Sequence, residues 1–339
     1  MPLLHWCDGH LDLAYLAVNG RDVRRADCDA AAGCVTLPAL RSAGVRWIFG
    51  TIFTEMGYAE MRSDMGPDEG DRAHRYASHD DLDGAEQAGL RQLECYENLE
   101  RERELTIVRG AADVDAPGGP DPRVVILMEG ADPIRSPDDV PAWTARGVRM
   151  VGLSWATGSR YAGGNHDGGP LTAAGRDMID ALDVQRVIHD VSHLSDAAFD
   201  ALLSRARGRV IASHSNCRAL LEDKQRHLRD NQIQAIASRG GVIGLNLYTK
   251  FLAIGRRATI DDCIRHIERV CEVAGRRDVI ALGSDMDGGF PPASLPQGLD
   301  HPSKLSALAE ALRDRGWSDA EVAGFASGNW LRFLRAAIR

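Results

Sequence analysis

Nowhere in its 339 residues does the chain contain a long apolar run, of the roughly eighteen residues a spanning helix needs. It also has no basic block. Forty Lys and Arg stand against 49 Asp and Glu, a formal net charge of −9. That balance argues against a nucleic-acid partner. Cysteine is sparse and odd in number. There are seven, and only Cys28 and Cys34 lie near each other in the chain. Such a distribution suits reduced thiols in a cytoplasmic protein rather than a disulfide framework. Cys7 and Cys217 stand near polar residues of interest and read as core packing. The N-terminus lacks the charged and apolar regions of a signal peptide. The stretch Asn329 to Arg339 is amphipathic and basic, not a lipid-anchor signal. No repeat or low-complexity tract is present. With 44% hydrophobic and 26% charged residues, the composition is that of an ordinary globular protein. The expectation is one barrel domain over residues 1–339 with no membrane partner.

What is present is alternation. Short runs rich in apolar and β-branched residues occupy 3–10, 46–53, 123–129, 148–155, 186–193, 209–214, 241–247 and 278–285. Each is too short for a buried helix and reads as a strand. Helical periodicity fills the gaps: a segment led by Leu37, then 81–105, 138–146, 172–182, 195–206, 230–238, 260–274 and 302–315. Ser195-Asp196 and Thr259 to Asp262 read as N-terminal caps. Eight strands alternating with eight helices predict an α/β protein, a (β/α)8 TIM-like barrel. The polar or Gly/Pro-rich segments Met56 to His79 and Asp287 to Pro302 read as long loops over the catalytic face.

The ends of the strands carry the chemistry. The first leads into Gly9-His10-Leu11-Asp12, the third ends in Glu129, the fifth in His193, the sixth in His214 and the eighth in Asp285. His10 and Asp12, at i and i+2, share one face of an extended strand, and together can grip a divalent metal. Singly each signal is weak, since a lone histidine is more often a satisfied core residue. Glu129 and Asp285 are harder to set aside, because an ionised carboxylate buried without a partner is costly. Asp287 reads as a turn carboxylate. Five such strand ends in one barrel, carrying six residues, point to a two-metal site. The fourth strand departs from the rule and ends in Trp155.

The segments Asp8-Gly9-His10-Leu11-Asp12-Leu13, Met128-Glu129-Gly130, Asp190-Val191-Ser192-His193-Leu194-Ser195, Ser213-His214-Ser215-Asn216-Cys217 and Gly283-Ser284-Asp285-Met286-Asp287-Gly288 resemble the membrane (renal) dipeptidases, zinc peptidases of the amidohydrolase-like barrel group. They fall in that family's order and span nearly the whole chain. The resemblance implies two divalent ions, zinc, with His10 and Asp12 on one, His193 and His214 on the other, and Glu129 bridging. It implies that Asp285 handles protons. It places Arg226 at the substrate carboxylate and Tyr248 in the substrate pocket, and it allows a homodimer. The bland alternative for Arg226 is a solvated loop charge. The implied activity is hydrolysis of a dipeptide amide bond by a metal-bound hydroxide. Trp155 breaks the pattern, standing where better-known members carry a histidine that holds the developing oxyanion. An indole offers one neutral donor, so Trp155 is expected to narrow the pocket, with His166 the nearest candidate to replace the missing donor. Alternatives on the same site are hydrolysis of another small amide or a lactone, or a weakly active metal-binding protein.

Overall fold

The computed structural model describes residues 4–25, 33–57 and 73–338. Eight parallel strands build the barrel: β1 (Trp6–Leu11), β2 (Val45–Phe53), β3 (Arg123–Glu129), β4 (Val148–Gly152), β5 (Ile188–Asp190), β6 (Val210–Ile211), β7 (Ile243–Leu245) and β8 (Ile280–Leu282). They pair in the order β6-β5-β4-β3-β2-β1-β8-β7. One parallel bridge, Ala212 to Ile243, joins the two remaining edges and closes the ring. Closure sets β1 beside β8, with Asp8 opposite Leu282, so the first and last strand ends deliver side chains to one place.

The later strands are shorter than the sequence runs. The predicted 186–193 stops at Asp190 and 278–285 stops at Leu282. The reason is local backbone geometry: His193 (φ 69°) and Asp285 (φ 58°) lie in the left-handed region, which a strand cannot accommodate. Both expected helix caps are present in altered detail. Ser195 accepts from Ala198 N at 3.1 Å. At the helix Ile260–Ala274 the cap is made by Asp262, which accepts from Thr259 N at 2.9 Å. The predicted helix 302–315 is a short 3-10 turn at Pro302–Lys304 followed by Leu305–Asp314. Helices at Ala111–Asp115 and Asp319–Ala323, and a hairpin pairing Ala162–Gly164 with Gly168–Leu171, were not apparent in the periodicity; the amphipathic stretch that begins at Asn329 is a helix, Asn329–Ala337. The expected Met56 to His79 loop contributes a parallel pair at Glu55–Met56 and Arg75–Tyr76; its residues 58–72 lie outside the described residues, as does Cys28. The other six cysteines form no disulfide among the described residues. Cys7 and Cys217 are fully buried, as core packing requires. No described helix is long and apolar enough to cross a membrane.

Two apolar cores position the site. One packs the helices onto the outside of the strands. The second gathers Cys7, Phe49, Leu127, Met150, Ile188, Ile211 and Ala281, from seven different strands, around Trp330. Trp330 closes the lower end of the barrel and donates from its indole to Leu282 O at 2.8 Å. Above it the strands approach closely. A Cβ at Gly9 would lie 2.8 Å from the Trp330 ring, and one at Gly244 or Gly283 would lie 1.8 or 1.9 Å from the Ser213 carbonyl oxygen. Only glycine permits that approach. It holds β1, β6, β7 and β8 tightly just below the polar residues.

Candidate metal centre

His10 and Asp12 leave β1 where its register against β2 shifts, between Asp8 and Leu11. Such an irregularity re-aims side chains. Here it brings His10 Nε2 to 3.6 Å from Asp12 Oδ1 and 3.5 Å from Glu129 Oε2. Glu129 ends β3. Its other oxygen, Oε1, lies 3.0 Å from His193 Nε2 and 3.3 Å from His214 Nε2. Those two nitrogens are 2.9 Å apart. Thus one carboxylate faces His10 with one oxygen and His193 and His214 with the other. Donor atoms of His10, Glu129 and His214 converge within 4.8 Å, and so do those of His10, Asp12 and Asp285. Asp285 belongs to the second group and accepts from Asn246 Nδ2 at 2.8 Å. All five predicted ligands and Asp285 are brought together.

The surrounding polar residues were less legible. Two buried aspartates repeat one motif. Asp8 accepts from Ser284 N (2.8 Å), Ser284 Oγ (2.5 Å) and His10 N (3.2 Å). Asp190 accepts from Ser213 N (2.9 Å), Ser213 Oγ (2.5 Å) and Ser192 N (3.1 Å). Each ties one ligand-bearing strand end to its neighbour. His193 Nδ1 meets Asn165 Oδ1 at 3.0 Å, and Thr51 Oγ1 donates to Asp12 Oδ1. Asp287 proves to be more than a turn carboxylate: it accepts from Cys34 N (2.8 Å), Val35 N (2.7 Å) and Arg21 Nη1 (2.7 Å), anchoring a segment some 250 residues earlier in the chain.

The electrostatics fit cations. Burial lowers the tendency of His10 to carry a proton, yet Glu129, Asp12 and Asp285 outweigh it and hold the imidazole up at about 10. Burial would raise Glu129, but His10 and the hydrogen bonds from His193 and His214 bring it well below the usual carboxylate range. Burial and Arg226 push His193 down to about 4. Burial and His10 push His214 well below its ordinary value. Asp285 is raised to about 7, chiefly by burial, against the pull of His10. Three buried carboxylates and two imidazoles that resist protonation make a donor set suited to divalent ions.

A cavity of 190 Å³ opens above this cluster, lined by Asp12, Glu129, His193, His214 and Asp285 below. Tyr15, Phe53 and Trp155 contribute to its wall, with Tyr248, Phe251 and Phe290. Trp155 packs on Phe53 at 5.2 Å between ring centres, and Tyr248 stacks on Phe290 at 4.5 Å. His166 is not among the lining residues. Its side chain is 60% exposed and paired with Asp167 at 2.6 Å, because its loop turns that residue outward and Asn165 inward. The expected substitute donor is therefore absent from the cavity. Arg226 is not a solvated loop charge either. It is buried, lies over Phe251 at 5.0 Å, and donates to His214 O (2.8 Å) and Ser215 Oγ (3.0 Å). Each terminal nitrogen thus gives one N–H to the protein and keeps another, and Nε has no hydrogen-bond partner among the described residues.

The membrane dipeptidase family, peptidase family M19, matches residues 3–338. An uncharacterised protein from the pqqA 5′ region of Klebsiella pneumoniae is 34% identical over 250 residues, 70% of this chain and 85% of that one. Dipeptidase 3 of Macaca fascicularis is 30% identical over 167 residues, 49% of this chain but only 33% of its own length. The metallo peptidase from Rhodobacter sphaeroides, solved with a phosphinate mimic of the dipeptide L-Ala-D-Ala, superposes with a TM-score of 0.83 over 99% of this chain and 100% of that one, at 24% identity. At that identity the likeness establishes the barrel fold.

Proposed function

Because the chain belongs to the membrane dipeptidase family, a family of metallopeptidases, we propose that it hydrolyses the amide bond of small dipeptides at a site for two divalent ions. His10 and Asp12 would hold one, His193 and His214 the other, and Glu129 both. The observation that carries this reading is the placement of Glu129, whose two oxygens face two separate imidazole groups. Bound there, the ions, zinc in this reading, would supply polarisation of a carbonyl and a water of lowered pKa. The chain's own residues supply the rest. Asp285 stands at the edge of the cluster with a carboxyl raised to about 7, suited to taking a proton from the attacking water and passing it to the leaving amine. Trp155, Phe53 and Tyr248 exclude water and limit the width of the substrate. The test is metal analysis of the purified protein, then assay against dipeptides with L- and D-residues at the C-terminal position. Two divalent ions per chain are expected. Glu129→Ala should lose both, and His214→Ala chiefly one. A full metal complement in Glu129→Ala would remove the bridging assignment.

A second reading has its own observation. Trp155 stands in the cavity wall and offers one neutral donor where a histidine would hold the oxyanion, which favours a small amide or lactone over a dipeptide. Arg226 keeps one N–H on each terminal nitrogen beside its bonds to His214 O and Ser215 Oγ, so a carboxylate can still be received there. A panel pairing each dipeptide with its C-terminal amide separates the two. Equal rates on both members of a pair support the second reading.

A further inference from the structure

We propose that Ser213 is a positioning residue shared by both ion sites. Its hydroxyl, oriented by Asp190, sets the tautomer of one histidine from each. This rests on the two-ion reading above. Ser213 Oγ lies 2.5 Å from Asp190 Oδ2, 2.7 Å from His214 Nδ1 and 3.4 Å from His10 Nδ1. A hydroxyl has one proton and two lone pairs. The carboxylate is the strongest acceptor in reach and makes the shortest contact, so the proton goes to Asp190. Asp190 is itself fixed, because its other oxygen accepts from Ser213 N and Ser192 N. Ser213 Oγ is then left as an acceptor, and both imidazoles present Nδ1–H to it.

That arrangement decides which ring nitrogen keeps a lone pair. A neutral imidazole has one. With Nδ1 protonated, it sits on Nε2 in both rings. His214 Nε2 points at Glu129 Oε1 (3.3 Å) and His10 Nε2 at Glu129 Oε2 (3.5 Å). The two rings are stacked at 3.6 Å between centres, which is how one oxygen can reach both. The remaining histidine has a separate arrangement: His193 Nδ1 is met by Asn165 Oδ1 at 3.0 Å, from the turn of the hairpin. Loss of Ser213 should therefore affect both sites, and loss of Asn165 only one.

The test is zinc titration of chelator-stripped protein against a competing indicator, read as two affinities, with the melting temperature of the stripped protein as the check on folding. Ser213→Ala is expected to weaken both affinities by about 10- to 100-fold, the usual effect of losing an outer-shell partner of a metal-bound histidine. Asp190→Asn should do the same, because its amide N–H can turn to Oγ and send the serine proton toward the rings. Asn165→Ala should weaken one affinity. Melting of the stripped Ser213→Ala protein should stay near wild type. The proposal is overturned if Ser213→Ala leaves either affinity within about twofold of wild type, or if it affects the same single site as Asn165→Ala. If Ser213→Ala does not fold, Asp190→Asn carries the decision by the same criteria. If wild type takes up one ion only, the two-ion reading fails by itself, and an unchanged affinity for that ion in Ser213→Ala overturns the hydroxyl's role separately.

Discussion

At the scale of single residues, the site divides into side chains whose chemistry is visible in isolation and side chains whose role exists only through a partner. Glu129 and Asp285 belong to the first kind, because a carboxylate closing an apolar run has few bland explanations; the three histidines join them only as a set. Asp8, Asp190, Ser213 and Asn165 belong to the second. Asp8 acts on Ser284, 276 positions away, and nothing in either neighbourhood announces the other. The reading of His166 failed by one position: the loop is relevant, but it turns Asn165 to His193. Three outcomes follow. Asp285→Asn keeps shape and loses the proton acceptor, so turnover should fall by about 10²- to 10⁴-fold with the metal complement intact, measured by steady-state kinetics beside metal analysis. His166→Ala should leave turnover within about twofold, since its side chain pairs outside the cavity. Trp155→His should raise dipeptide turnover if the missing donor limits the rate, an effect of up to about 10²-fold. No change in that variant would place Trp155 in packing against Phe53 alone.

At the scale of elements, the strands and most helices were legible because burial imposes their period, but their ends were not. The left-handed conformations of His193 and Asp285 end β5 and β8 early, and no propensity of His or Asp requires them. The helix Ile260–Ala274 shows what a cap contributes. Asp262 accepts from Thr259 and pairs with Arg256 at 2.7 Å. The side-chain hydrogen bond from Arg256 is the largest cause that brings its carboxyl down to about 2, against burial. A depressed carboxylate stabilises the fold above its unfolded pKa near 4 and loses that contribution as pH falls through the folded value. Asp262→Ala should therefore lower the melting temperature at pH 7 by about 2 °C, for a cap worth about 1 kcal/mol. The difference from wild type should shrink between pH 4 and pH 2, read by thermal melts at several pH values. A difference that grows on acidification would contradict the assignment. Asp287 joins elements rather than ending one. Asp287→Asn should cost about 1–3 kcal/mol, because an amide cannot accept from Cys34 N, Val35 N and Arg21 as a carboxylate does, and denaturant unfolding would measure it.

For the molecule as a whole, closure of the barrel is what turns scattered strand ends into one centre. The candidate ligands and Asp285, spread in sequence from His10 to the last strand, form a ring once Ala212 meets Ile243 and β1 meets β8. The alternating pattern made that topology readable. The density with which one half of the barrel is packed was not readable, because a glycine in a strand looks the same whether it meets a neighbour or empty space. Gly9→Ala should be severely destabilising, as its methyl would meet the Trp330 ring and two backbone carbonyls; overpacking of this kind commonly costs about 1–3 kcal/mol, and a fall in melting temperature would report it. The same crowding divides the protein for anyone wishing to alter its selectivity. Around the Ser213 carbonyl there is no room for even one more carbon at Gly244 or Gly283, so that floor accepts no variation. The wall formed by Trp155, Phe53, Tyr248 and Phe290 faces open cavity. A library built to evolve new substrates should draw all its diversity from that rim, and positions 9, 244 and 283 should return only glycine among its survivors.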